Sequence, residues 1–157
     1  MDTFFESREA EGRIAYLNLN LADIVKGKKT IHFTEDKYEV YDFEQTAWTT
    51  SVESYGEIKT VHRPFRDYND FQIDYNKVKK LQTLSQTEGR RGYIVGFFRE
   101  CAVVWDITDM DLEGRRRDVN CTVTTADYGK KRVKTEIGLT EKDAIYVKDY
   151  DGQRSKN

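Results

Sequence analysis

Two apolar runs, Gly92–Phe98 (GYIVGFF) and Cys101–Ile107 (CAVVWDI), constrain the folding of this chain more than any other stretch. Neither alternates apolar with polar residues as a strand with one wet face does, so both fit strands at, or close to, the centre of a sheet. Only Arg99 and Glu100 lie between them, which is the length of a hairpin turn. Helical spacing appears in two other places. From Phe5 to about Lys26, Ala10, Ile14, Leu17 and Leu21 recur at i, i+4, i+7 and i+11, and Gly27 follows as a stop. From Asp74 to Ser85, Tyr75, Val78, Leu81 and Leu84 are spaced for one buried face.

Strand patterns fill the interval. Thr30–Phe33 and Lys37–Asp42 read as two short strands joined by Thr34-Glu35-Asp36, and Tyr55–Val61 as the next. Phe43–Ser54, with Trp48 and a Thr/Ser run, fits either a loop shaping a cleft or further strand. Pro64, the only proline, and a loop through Asn69-Asp70 precede the second helix. Arg117–Thr125, Arg132–Ile137 and Ala144–Val147 read as strands and loops completing one edge of the sheet, and Asp149–Asn157 as a frayed polar tail. No linker or repeat divides the 157 residues, so a single domain is expected.

The chemistry concentrates where two of these strands meet. Side chains two apart on a strand share a face, so Glu57 and Lys59 project together while Ile58 points the other way. With the neighbouring strand alongside, Asp42 adds a second carboxylate to that face. Two carboxylates converging on one point form a hard-oxygen site suited to Mg²⁺, with Mn²⁺ as the alternative. A solvated ion pair on an exposed sheet face is the plainer account of Glu57 and Lys59, and such pairs contribute little.

Asp42, fourteen intervening residues, then Glu57-Ile58-Lys59 resembles the signature of the PD-(D/E)XK nuclease superfamily, whose members include Holliday-junction resolvases and many phage and repair nucleases. Tyr41 stands where that signature places a proline. The order helix, strands carrying the acid and then E-x-K, helix, strand pair is similar to the family's α-β-β-β-α-β core over about residues 5–107. Glu11-Gly12-Arg13-Ile14-Ala15-Tyr16-Leu17 resembles the family's first helix, whose glutamate faces the metal; Glu6 and Glu9 are rivals to Glu11. Phe71–Lys77 resembles the lead-in to the family's second helix.

The resemblance implies a restriction-endonuclease-like α/β fold with a mixed central sheet and extra C-terminal strands. It implies a metal-dependent nuclease acting on DNA, with RNA not set aside, and 5′-phosphate and 3′-hydroxyl products. Asp42, Glu57, the backbone carbonyl of Ile58 and Glu11 would hold Mg²⁺, Lys59 would orient the attacking water, and Lys77 would touch phosphate. The rival reading is a non-catalytic nucleic-acid-binding or structural protein, of a phage for example, with the same order of elements. A homodimer is compatible with either.

Net charge is −2, which does not announce a nucleic-acid binder, so distribution carries the argument. Basic clusters at Arg90-Arg91, at Arg115, Arg116 and Arg117, and at Lys130, Lys131 and Arg132 with Lys134 lie in the second half, away from the acidic site. The last two are the expected phosphate-positioning rim. No apolar run is long enough to cross a bilayer and no signal peptide opens the chain, so a cytoplasmic location is expected, in the host if the protein is viral. Cys101 and Cys121 form no C-x-x-C pair, which argues against zinc or a disulfide framework, and His32 and His62 have no soft ligand near them in sequence.

Overall fold

A computed structural model describes residues 4–18, 29–35, 39–47, 52–122 and 131–150. Helix α1 spans Phe4–Asn18 and α2 spans Tyr75–Glu88. The strands are β1 Lys29–Phe33, β2 Phe43–Ala47, β3 Val52–Thr60, β4 Phe71–Asp74, β5 Arg91–Phe97, β6 Cys101–Asp106, β7 Arg116–Thr122, β8 Lys131–Leu139 and β9 Tyr146–Asp149. Six of them form one mixed sheet in the order β1-β2-β3-β5-β6-β9, and β4-β8-β7 form a second, antiparallel sheet. In the large sheet β3 and β5 run parallel, joined through β4 and α2, while the other pairings are antiparallel.

The two apolar runs become β5 and β6, each with both faces covered, as their lack of alternation requires. Along β5, Tyr93, Val95 and Phe97 join Tyr16 of α1 and Phe43 of β2 in one core; Ala102 and Val104 of β6 belong to it too. Ile94, Val103 and Trp105 face the other way, into a larger core with Tyr55, Val78 and Leu81, and with Ile137 and Leu139 of β8. The helices thus lie on opposite faces, and the small sheet shares the α2 side. Between Phe4 and Asp106 the elements run α1-β1-β2-β3-β4-α2-β5-β6, which is the expected α-β-β-β-α-β order with β4 added ahead of α2 and β6 after β5.

Local chemistry sets the helix ends. The Asp74 carboxylate accepts hydrogen bonds from the amides of Asn76 and Lys77 at the start of α2, and Gly89 ends it in the left-handed region, φ 67°, where a side chain would be strained. Tyr75, Val78 and Leu81 are buried as their spacing predicts, while Leu84 is only partly covered.

Three expectations are corrected. The stripe predicted along α1 is not its buried face: Ile14 and Leu17 are 62% and 57% exposed, and Gly12 and Tyr16 face the sheet instead. Helical spacing admits several faces, and glycine decides between them here. A Cβ on Gly12 would sit 2.8 Å from Ile58 Cγ2 and from Thr60 Oγ1, so only a bare backbone lets α1 lie this close to β3. Leu21 and Lys26 lie outside the described residues. Of the strand expected at Lys37–Asp42, Lys37 and Tyr38 lie outside the described residues, and residues 39–42 are not strand. The partner of β1 is β2, in register Phe33↔Phe43, so Asp42 precedes the strand rather than ending one. Finally, the C-terminal segments do not simply extend one edge. Only β9 adds to the large sheet; β8 pairs on one side with β7 and on the other with β4, whose four residues read as a lead-in to α2.

Candidate active site

Antiparallel pairing of β2 with β3 sets Phe43 opposite Gly56, and the ladder continues one step further through the Asp42 amide, which donates to the Gly56 carbonyl at 2.7 Å. Asp42 thereby comes opposite Glu57, and opposed residues of an antiparallel pair project to one face. The Asp42 carboxylate accepts from the Ile58 amide at 2.7 Å, which fixes it against β3. Tyr41, in the place of the signature's proline, anchors the segment differently: its ring packs on that of Tyr55 at 4.3 Å, and its carbonyl accepts from the Thr34 hydroxyl.

Glu57 is almost wholly buried and carries two ammonium groups on the same oxygen. Lys59 Nζ lies 3.2 Å from its Oε1, and Lys77 Nζ, from the first turn of α2, lies 2.6 Å from it. Lys77 is thus a member of the site and not simply a surface lysine. Burial, then the neighbouring Glu57 charge, pushes the Asp42 carboxyl up to about 7, against the opposing pull of the Ile58 amide and both lysines. For Lys77, the attraction of Glu57 outweighs burial and its pKa is raised. For Lys59, burial and the like charge of Lys77 outweigh Glu57 and its pKa is lowered. The shorter contact agrees with this division: Lys77 is the principal counter-ion of Glu57.

Glu11 does not join this cluster. Strand alternation puts Ile58 and Thr60 on the face opposite Glu57 and Lys59, and α1 packs on Ile58 and Thr60. The Glu11 carboxylate oxygens lie 2.9 and 3.1 Å from His62 Nε2, beside a cavity of about 420 Å³ that both residues help to line. Glu9 pairs with Arg13 along the helix at 2.9 Å, and the Glu6 side chain lies outside the described residues.

The arginine rim is also not as expected. Arg115 bonds Asp143 with both terminal nitrogens at 2.6 and 2.7 Å, Arg116 meets Glu113 at 3.4 Å, and Arg117 meets Asp70 at 3.0 Å. Arg90 pairs with Glu44 and Glu53, and Arg91 with Asp106 and Asp109. These charges are neutralised by partners that sequence spacing did not reveal, and they face the protein's own carboxylates before any phosphate. Lys130, the side chains of Lys131 and Arg132, and Trp48 lie outside the described residues.

The donor set fits a hard divalent cation. Asp42 and Glu57 offer carboxylate oxygens on one face, and Mg²⁺ is ordinarily bound by one or two carboxylates while keeping several waters. Among the described residues no group of three or more His, Cys, Asp or Glu side chains forms, so an all-protein cage of the kind zinc or calcium uses is not present there.

A mixed sheet between two helices, with paired carboxylates and lysines where β2, β3 and α2 meet, makes this an α/β domain with a charged cluster on one face of its sheet. Among solved structures, the chain is similar to a Holliday junction resolvase, Hjc, of the archaeal hyperthermophile Archaeoglobus fulgidus, at 9% sequence identity and a TM-score of 0.48, covering 94% of this chain and 97% of that one. No family model and no curated protein matches it.

Proposed function

We propose that this chain is a metal-dependent nuclease that hydrolyses phosphodiester bonds in DNA. The observation that carries the reading is the convergence of Asp42, Glu57, Lys59 and Lys77, with an acid whose proton affinity is raised by burial and then by its neighbour's charge. Two acids and two lysines gathered in a partly buried cluster shift one another's proton affinity, and groups perturbed in this way concentrate at functional sites.

Asp42 and Glu57 would hold Mg²⁺ or Mn²⁺, joined by the carbonyl of Ile58. Once bound, the cation supplies Lewis acidity toward the phosphate and a lowered pKa for water. The chain's own groups do the rest. The Ile58 amide keeps the Asp42 carboxylate aimed, and burial of Glu57 keeps its orientation fixed. Lys59 orients the attacking water and offsets charge developing on the phosphoryl oxygens. Lys77 is free to turn from Glu57 to a substrate phosphate when another cation takes its place. Glu11, engaged with His62 on the other face, has no part in this scheme.

Incubation with plasmid, linear duplex and single-stranded DNA in Mg²⁺, Mn²⁺ or EDTA tests the proposal. Cleavage confined to the metal arms and lost in Glu57→Gln supports it. Nucleic-acid binding with no cleavage in any arm refutes it and leaves the non-catalytic reading.

A further inference from the structure

The segment between β3 and β4, residues 61–70, begins just beyond Lys59 and crosses to the face that carries the acidic site. Its inner side is fastened in three ways. Phe65 is buried against Phe98 and Trp105, with ring centroids 4.7 and 5.8 Å away. The Glu100 carboxylate accepts from the amides of Phe65 and Arg66. Arg66 is held by Glu141 and Asp149. Its outer side presents Tyr68, 52% exposed, with the Arg63 guanidinium 4.1 Å from the ring centroid.

Arg63 differs from the arginines neutralised elsewhere. Arg13, Arg66, Arg90, Arg91, Arg115, Arg116 and Arg117 each meet a carboxylate; Arg63 and Arg99 meet none among the described residues. Their backbones meet, the Arg99 amide donating to the Arg63 carbonyl at 3.0 Å, but the Arg99 side chain donates to the His62 carbonyl and lines the cavity beside Glu11 and His62. Arg63, Tyr68, Asn69, Asp70, Gln72 and Arg117 line a polar surface pocket of about 400 Å³. The carboxylate in it, Asp70, is already satisfied by Arg117. Asp67 is the other acid of the segment and is exposed. Four residues of chain reach at most about 14 Å, so Arg63 lies within one or two nucleotides of Lys59.

We infer that this segment is a docking element for unpaired nucleotides, with a base stacking on the ring of Tyr68 and an adjacent phosphate on Arg63. Arg63 covers one face of the ring, and a base completes the stack on the other. A duplex buries its base faces, so a stacking platform discriminates for single strands, overhangs or opened junction arms, whereas charge alone does not. A loop pinned on one side and free on the other is the usual way a rigid scaffold presents such groups. The inference rests on the nuclease reading for the identity of the ligand.

The test uses the full chain in EDTA, where binding is read without cleavage. Fluorescence anisotropy compares a labelled oligothymidylate with a duplex of equal length, and a 2-aminopurine oligonucleotide reports stacking by quenching. Single strand should bind more tightly than duplex and quench. Tyr68→Ala should weaken it about tenfold, the order of one lost base–aromatic stack, and abolish the quench, while Tyr68→Phe keeps both. Arg63→Ala should lower the salt slope by about one, with Lys142→Ala as the charge control elsewhere. The inference is overturned if Tyr68→Ala binds and quenches as wild type does, if duplex binds as well as single strand, or if neither binds. Tyr68-dependent binding without cleavage in Mg²⁺ leaves this inference standing and removes the nuclease reading; cleavage with Tyr68-independent binding does the reverse.

Discussion

Replacing Asp42 with asparagine should make the metal-free protein more stable, and by an amount that depends on pH. Asparagine keeps an oxygen to accept the Ile58 amide and removes the charge that burial and Glu57 oppose. The carboxyl moves from 3.8 to about 7 on folding. At about 1.4 kcal/mol per pH unit this amounts to roughly 4 kcal/mol against the ionised form, and solvent relaxation around a partly exposed group reduces it to about 2 kcal/mol. Because the folded pKa is raised, the wild-type carboxyl contributes its full stability below pH 4 and loses it as pH rises toward 7. The two proteins should therefore match near pH 4 and diverge until the asparagine variant leads by about 2 kcal/mol at pH 8. Urea unfolding in EDTA at pH 4, 6 and 8 measures this directly. Adding Mg²⁺ should then reverse the order, since a ligand of the native state stabilises only the protein that binds it. A variant less stable than wild type at pH 8 in EDTA, or a gap of equal size at pH 4 and pH 8, would falsify the account.

Lys59→Ala should lower turnover at least a hundredfold, the scale of a removed electrostatic donor, while calorimetric metal binding is largely kept; Glu57→Gln should lose both. Gly56→Ala should destabilise the fold by about 3 kcal/mol or more, because the new Cβ would lie 2.0 Å from the Phe43 ring, and a melting temperature within a degree or two of wild type would contradict that. Hydrogen bonds from Arg115, then from Thr140, hold the Asp143 carboxyl below its ordinary range despite partial burial. Its stabilisation is present above about pH 4 and is lost on further acidification, so Asp143→Asn should cost stability at pH 7 and progressively less toward pH 2 in urea titrations.

Much of this was open to reading because period-2 alternation is strict. Glu57 and Lys59 had to share a face of β3, and the unalternating runs had to become β5 and β6. What escaped depends on contacts distant in sequence. The three consecutive arginines 115–117 look alike in the chain, yet each finds a different carboxylate, two of them remote. The buried face of α1 turns on whether a single glycine can approach Ile58, which spacing does not encode. Four-residue β4 alternates Phe71 and Ile73 with Gln72 and Asp74, but so short a run does not declare its partner, and β8 supplies it from far along the chain. Arg63 and Tyr68 carried no motif; their distinction is the lack of a carboxylate partner for one and the exposure of the other, and neither exists before folding.

The pairing of β4 with β8 also bears on when the site can come into being during synthesis. Phe71 aligns with Leu139 and Asp74 with Glu136, and α2 begins at the very next residue, with Lys77 in its first turn. The helix that brings the second lysine to Glu57 is therefore clasped by a segment made long after it. Until then the β2–β3 hairpin holds its two acids without the α2 ammonium beside them. The cluster of two acids and two lysines is thus complete only after β8 has been made and has folded back onto β4.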